Sequence, residues 1–169
     1  EMEIEPGTFV VANSGHIITR IIDKKLTNEL NFLIVDGGME LLTRPLLYGS
    51  EHPIAIVRQD GTLLSSEYDS KPTAALKSFG IVGRCCESGD SVRLDNDGNI
   101  VPVLIAEPEI GDYVVIGGTG AYSESMSPEN YNSHRKPGAV MKTRSGELVQ
   151  IRKKQVREQI YQNELDVKL

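Results

Sequence analysis

Only two cysteines occur in the 169 residues, and they are adjacent. Neighbouring thiols cannot close a loop, so no disulfide framework holds this fold, and the chain reads as belonging to a reducing compartment, the cytoplasm. Clustered positive charge is equally scarce. The net charge is -6, and the longest basic run, Arg152-Lys153-Lys154, is too short to neutralise nucleic-acid phosphates or an anionic membrane surface, so neither partner is expected. No apolar run approaches the roughly 20 residues needed to cross a bilayer. The acidic start, Glu1 to Gly7, lacks the basic region of a secretory signal. His16, His52 and His134 share no metal-ligand spacing with one another or with the cysteines, and no metal is expected. Internal repeats and low-complexity segments are absent as well.

What is present is enough apolar material, 39% of the residues, for the core of one domain. Period-two apolar runs recur at His16 to Ile22, Asn31 to Val35, Pro53 to Val57, Ala74 to Val82, Asp112 to Ile116, Ala139 to Lys142 and Leu148 to Ile151. They are rich in β-branched residues and predict strands. Asp60-Gly61, Asp97-Gly98, Gly111-Asp112 and Ser145-Gly146 predict the turns between them. The fold class is therefore mainly β, a sandwich or a barrel. Met39 to Leu47 has helical spacing, and Pro45 predicts a short helix ending before it. Val156, Ile160, Tyr161 and Leu165 form a helical stripe in Lys153 to Leu165, which predicts an amphipathic helix closing the domain. Ser65 to Pro72 reads as an exposed loop. Met2 to Gly7 reads as a strand running into a turn with nothing before it, the pattern of a cut from a larger protein.

The most informative stretch is Gly83-Arg84-Cys85-Cys86-Glu87-Ser88-Gly89-Asp90, where a thiol stands beside a carboxylate between glycines. A thiol can donate a proton and a carboxylate can hold an ammonium; a buried cysteine acting only as a small apolar filler is the alternative. Other segments also set polar groups and glycines among apolar residues. They are Glu5-Pro6-Gly7, Asp36-Gly37-Gly38-Met39 through Arg44-Pro45-Leu46-Leu47-Tyr48, Gly120-Ala121-Tyr122, and Ser125-Met126-Ser127 through Tyr131-Asn132-Ser133.

In this order and at these separations the five motifs resemble the C-terminal part of the diaminopimelate decarboxylases, within the pyridoxal-phosphate-dependent ornithine, diaminopimelate and arginine decarboxylases. The resemblance runs from Glu5 to about Ile151. It implies a Greek-key β-barrel like the C-terminal domain of alanine racemase and of these decarboxylases, with short helices. Residues 1–15 would be the remnant of the last strand and turn of a TIM-type barrel, and 16–169 the β-domain. The lysine that bears the pyridoxal phosphate would lie upstream, so the chain alone would be inactive. The parent would be a homodimer whose active sites are shared across the interface, with barrel-facing and dimer-facing surfaces more apolar than those of an ordinary monomer.

The same resemblance assigns roles. Cys86 would be the catalytic proton donor, reaching into the partner's site; a thiol with an ordinary pKa of roughly 8.5 is mostly protonated near neutrality yet able to release its proton. Cys85 would be a bystander, since adjacent side chains on extended backbone face opposite ways. Glu87 would bind the distal ammonium of a small diamino-acid substrate, the alternative being a solvated surface glutamate. Arg44 and Tyr48 would take its distal carboxylate, Arg44 by planar bidentate hydrogen bonding; a structural ion pair is the alternative for Arg44. Tyr122 would lie against both substrate and cofactor, a plain core role being its alternative. Glu5, Gly7 and Thr8 would border the cofactor phosphate. His52 would be structural or interface-lining.

Three departures from the pattern bear on the substrate. Thr8 stands where an arginine is usual, Arg84 where a proline is usual, and Cys85 where an aliphatic residue is usual. The expected reaction is conversion of meso-diaminopimelate to lysine and carbon dioxide. Thr8 keeps open another diamino acid, carboxynorspermidine or a carrier-bound aminoacyl group, and a non-catalytic dimerisation module is the alternative of a different class.

Overall fold

Side chains begin to alternate between core and solvent soon after a short helical entry. In the computed structural model, which describes residues 2–68 and 75–167, α1 (Gly7–Val11) leads through a 3-10 turn into β1 (Ile17–Lys25). Thr19 and Ile21 of β1 point inward, while Ile18, Arg20 and Ile22 point out. There follow β2 (Asn31–Val35), α2 (Arg44–Tyr48), β3 (Ile54–Val57), β4 (Leu63–Ser66), β5 (Leu76–Val82), β6 (Val103–Ala106) and β7 (Tyr113–Ile116). These elements belong to a first compact unit, 1–128; a second, 129–169, contains β8 (Ala139–Lys142), β9 (Leu148–Arg152) and α3 (Glu158–Tyr161).

In the first unit the sheet order is β4-β3-β7-β1-β2-β5-β6. β1 serves two neighbours, pairing with β7 through Ile17–Arg20 and with β2 from Ile21 onward, and a register shift between Ile21 and Asp23 accompanies the change. Such bulges bend a strand, as closure of a sheet requires. The terminal strand β6 comes against β3 and β4, and the Ala106 N–H donates to Ser65 Oγ on β4 at 3.0 Å. The sheet is thereby a nearly closed barrel. Its interior is filled by fully buried side chains including Phe79, Ile21, Leu33, Ile54, Ile56 and Val114, each contributing about 1.5–3 kcal/mol of burial. β2 and β5 run parallel, with Ile34 opposite Val82, while every other pair in the sheet is antiparallel.

In the second unit, β8 and β9 form an antiparallel hairpin turned at Ser145-Gly146. Gln155 Oε1 accepts from Asn130 Nδ2 at 2.6 Å and from the Lys136 N–H at 2.9 Å, tying the entry of this unit to the end of the hairpin.

The expected strands form within three residues at each end, β1 running on to Lys25, and all four predicted turns carry a glycine at positive φ: Gly61, Gly98, Gly111 and Gly146. Ala74, the predicted start of β5, lies outside the described residues. Several local expectations are corrected. The helix does not end before Pro45 but begins at Arg44 with Pro45 in its first turn, where a proline's missing N–H costs nothing. The C-terminal stripe yields only the four-residue α3, whose side chains find no buried face. Residues 2–6 form no strand. Ser65 and Ser66 lie in β4, with Ser65 buried, rather than in an exposed loop, and 69–72 of that stretch lie outside the described residues. β4 and β6 escape a period-two reading because LLSS and VLIA do not alternate.

Many large apolar side chains are exposed, among them Phe9, Val10 and Ile18. Among the described residues no helix is long and apolar enough to cross a membrane.

Because Ser65 Oγ satisfies the buried Ala106 N–H where the barrel closes, Ser65→Ala should lower unfolding free energy by about 1–3 kcal/mol. Urea denaturation checks this, and an unchanged midpoint would show that the closure does not depend on this bond.

Candidate functional site

Strand register brings the motif-bearing segments to one rim of the barrel. Ile17 at the start of β1 pairs with Ile116 at the end of β7, and Ile54 at the start of β3 also pairs with Ile116. The segments entering β1, entering β3 and leaving β7 are therefore neighbours. The Gly117 N–H donates to the Pro53 carbonyl at 2.9 Å, Thr119 N–H to Gly15 at 3.1 Å and Gly120 N–H to Ala12 at 2.8 Å. Gly120 lies so close to the Val11 carbonyl that a Cβ would collide with it.

This packing delivers Tyr122, whose backbone is left-handed at φ 57 although it is not glycine. A non-glycine residue held there stores strain, and such outliers cluster at functional sites. Its hydroxyl lies against Gly7, where a Cβ would stand 3.0 Å from Oη. Its ring is also 5.9 Å from the Arg44 guanidinium carbon, and the Tyr48 ring lies 5.3 Å from the same carbon. Gly7, Arg44, Tyr48 and Tyr122, from three distant stretches of sequence, thus form one cluster. Tyr122 is 51% exposed, which leaves no room for the plain core role. Among the described residues no carboxylate pairs with Arg44, and its neighbours are the two rings. Thr8 and Glu5 lie exposed beside Gly7. A half-buried cation, two exposed aromatic faces and a backbone without a Cβ suit an aromatic, anionic group such as pyridoxal phosphate.

The second cluster follows from the parallel pair. β2 and β5 end side by side, so the segments after them, Asp36–Thr43 and Gly83–Asp90, emerge together. Asp90, 3% exposed, joins them: Oδ1 accepts the Met39 N–H and Oδ2 the Cys85 N–H, both at 2.7 Å. A Cβ on Gly38 or Gly83 would collide with this carboxylate. Leu46 of α2 packs on Gly89, where an added Cβ would meet its Cδ1 at 2.6 Å. The two thiols face different ways. Cys85 Sγ is partly buried, 3.8 Å from Glu40 Oε2, whereas Cys86 is exposed. Burial first, then the nearby Asp90 and Glu40 carboxylates, push the Cys85 thiol up to about 12. Glu87 is exposed and its Oε1 accepts weakly from Ser88 Oγ and the Gly89 N–H, both at 3.3 Å. Among the described residues no hydrogen bond, ion pair or ring contact joins Cys86 or Glu87 to Arg44, Tyr48 or Tyr122.

Two structural partners of these clusters, Asp90 and Glu40, were not legible as such, whereas His52 has the structural role expected of it. His52, 5% exposed, places Nδ1 3.0 Å from the Gly117 carbonyl and so props the segment leading to Tyr122. Its carbonyl in turn accepts Arg93 Nη2 at 3.1 Å, while Arg93 grips Glu67. Burial lowers the His52 pKa against the raising effect of the Gly117 bond, and the charges of Arg44 and Arg93 lower it further. The only sequence signal for Asp90 and Glu40 is the recurrence of glycines at 37, 38 and 83, which marks close backbone approach without naming its partner.

Residues 8–120 match the family described as pyridoxal-dependent decarboxylase, C-terminal sheet domain. A diaminopimelate decarboxylase of Buchnera aphidicola subsp. Baizongia pistaciae is 41% identical over 132 residues, 78% of this chain and 30% of that protein. A crystal structure of a diaminopimelate decarboxylase superposes with a TM-score of 0.82 at 35% identity, covering 92% of this chain and 35% of its own. The Helicobacter pylori diaminopimelate decarboxylase complexed with L-lysine gives 0.73 at 29% identity, covering 94% and 34%. The chain therefore spans about a third of the length of the relatives it matches.

The lowered His52 pKa has a definite consequence for stability. Below its ordinary value of 6.5 the unfolded chain binds a proton that the folded chain resists, so stability present above pH 6.5 is lost as the pH falls towards the depressed folded value. Denaturation midpoints should fall between pH 7.5 and 5, and His52→Asn should flatten that slope. An identical slope in the variant would dissociate His52 from it.

Proposed function

The chain belongs to the family of C-terminal sheet domains of pyridoxal-dependent decarboxylases, and from that membership we propose that it serves a diaminopimelate decarboxylase, converting meso-diaminopimelate to L-lysine and carbon dioxide. Residues 1–15 are the end of a preceding TIM-type barrel and 16–169 the β-domain, and the lysine that binds the cofactor belongs to that barrel. The working unit is a homodimer with shared sites. The exposed apolar side chains of α1 and β1, notably Phe9, Val10 and Ile18, support such covered surfaces.

The observation that carries this reading is the convergence of Gly7, Arg44, Tyr48 and Tyr122, with a guanidinium that no carboxylate of the described residues neutralises. When bound, pyridoxal phosphate supplies the electron sink for loss of carbon dioxide. Tyr122 and Gly7 border it, with Glu5 and Thr8 beside the phosphate. Arg44 and Tyr48 bind the distal carboxylate of the substrate, and Glu87 its distal ammonium. Cys86 Sγ–H gives its proton to the α-carbon after the carboxylate has left, and the resulting thiolate recovers a proton from solvent. The exposure of both Cys86 and Glu87 suits residues that complete a site on the partner subunit. One feature favours a second reading within the same chemistry. Thr8 brings a hydroxyl and no charge to the cluster, which suits a diamino acid with less anionic character.

Two measurements on the full-length enzyme test this. Cys86→Ala should reduce lysine formation by about a hundredfold or more, in line with the loss of a general acid, while cofactor binding changes little. Normal turnover in that variant, with Cys85→Ala crippled, would mean that the wrong thiol has been assigned. The preference for diaminopimelate over lysine should be roughly a hundredfold or more and should collapse in Arg44→Ala, because a substrate without the distal carboxylate leaves a desolvated guanidinium unpaired. A ratio near one that Arg44→Ala does not move would favour the second reading.

A further inference from the structure

Two of the positions at which the chain departs from the pattern it resembles, Arg84 and Cys85, meet at a single buried side chain. Glu40, 7% exposed, stands on the segment leaving β2. Its Oε1 lies 3.8 Å from Arg84 Nη2, and its Oε2 accepts the Gly38 N–H at 2.9 Å and the Cys85 thiol at 3.8 Å. Cys85 is also held by its backbone, through the 2.7 Å bond from its N–H to Asp90 Oδ2. One residue is thus fixed at both main chain and side chain, by carboxylates from two segments.

The next residue along is Cys86, turned outward. Residues 84–86 form a bend just beyond β5, and fixing Cys85 there at both its N–H and its thiol sets the direction in which the adjoining Cys86 projects. We infer that Glu40 is a positioning residue for Cys86, acting through the inward Cys85 thiol and the flanking Arg84 guanidinium. The inference rests on the reading of Cys86 as proton donor. Cys85 is then no bystander. Its thiol stays protonated at neutral pH, as a donor to a carboxylate must, and so does not compete with Cys86 as an acid or a nucleophile. Arg84 supplies the positive charge that a carboxylate buried beside Asp90 requires, since an uncompensated buried charge is strongly unfavourable. An aliphatic residue at 85 would fill the same space but donate nothing, and a proline at 84 would bring no charge.

The test uses the full-length enzyme carrying Glu40→Gln, Cys85→Val or Cys85→Ser. Glutamine keeps the shape and the Gly38 bond but removes the charge; valine keeps the volume but removes the donor; serine restores a donor. Displacing a reacting group slightly is enough to cost an order of magnitude or more in rate. Glu40→Gln and Cys85→Val should lower kcat about tenfold with KM within about twofold, and Cys85→Ser should stay close to the parent. Amide hydrogen exchange over residues 83–90, which does not depend on turnover, should quicken by about tenfold in the first two variants and not in the serine variant. Parental exchange in both Glu40→Gln and Cys85→Val would overturn the clamp. Faster exchange with unchanged kcat would overturn the positioning role. Normal turnover in Cys86→Ala would overturn the donor assignment and the catalytic half of this inference, while the exchange data would still read the clamp.

Discussion

The Asp90 carboxylate is the interaction on which the rest of this rim depends. It accepts the N–H of Met39 from one segment and of Cys85 from another, both at 2.7 Å, in a site closed to water. Hydrogen bonds to an ionised acceptor are about twice as strong as neutral ones. Losing this acceptor would orphan two buried amides at once, a cost that neither segment could recover alone. The bond is possible because β2 and β5 are parallel and finish together, and because Gly38 and Gly83 leave the carboxylate space that a Cβ would occupy. A parallel pair needs a long connection, and here that connection is used: it contains α2, with Arg44 and Tyr48, before returning through β3 and β4.

The antiparallel half of the rim is organised by backbone rather than by charge. Gly15, Ala12 and Pro53 supply carbonyls to the Gly117–Gly120 turn, and His52 adds a side-chain bond to the Gly117 carbonyl. Four short hydrogen bonds over four residues leave Tyr122 little choice of conformation, which is how a non-glycine residue is held at φ 57. The two halves meet at α2, whose Arg44 stacks with Tyr122 and whose Leu46 covers Gly89. A five-residue helix could not persist by itself. It is kept by these contacts and by Gly49, which ends it in the left-handed conformation.

How much of this was legible in the sequence follows the range of the interactions. β1, β2, β3 and β7 announce themselves by alternation, and the turns by glycine beside a polar residue, because both depend on neighbours within a few positions. β4 and β6 do not alternate; Ser65 is inward because it closes the barrel against Ala106, 41 positions away. Pro45 reads as a helix terminator but lies in the first turn of α2, a question of register that the proline alone leaves open. The stripe at Val156, Ile160 and Tyr161 has helical spacing, but periodicity makes a helix only where a buried face rewards it, and α3 has none. The cluster of Gly7, Arg44, Tyr48 and Tyr122 was named through resemblance, and its coherence required the register of β1, β3 and β7. Glu40 and Asp90 were beyond reach, since nothing local distinguishes a carboxylate that will be buried from one left in solvent, and the burial of both depends on two segments 51 positions apart coming together.

Arg44 illustrates why the rings matter as much as the charge. A carboxylate partner would occupy the in-plane N–H donors of the guanidinium, which are the groups able to recognise another carboxylate bidentately. An aromatic face instead attracts the cation through its π-electrons and leaves the N–H fork available. With Tyr48 and Tyr122 5.3 and 5.9 Å from its central carbon, Arg44 is oriented without being neutralised. The chain thus holds a positive, planar, directionally fixed group at the rim, Arg44 itself being partly buried and the two tyrosines more than half exposed. Such a side chain is poorly explained as a contribution to stability, because cation–π contacts at exposed positions are worth only about 0.5–1 kcal/mol. The same geometry leaves the N–H fork open, which is what the proposed role of Arg44 in binding a carboxylate requires.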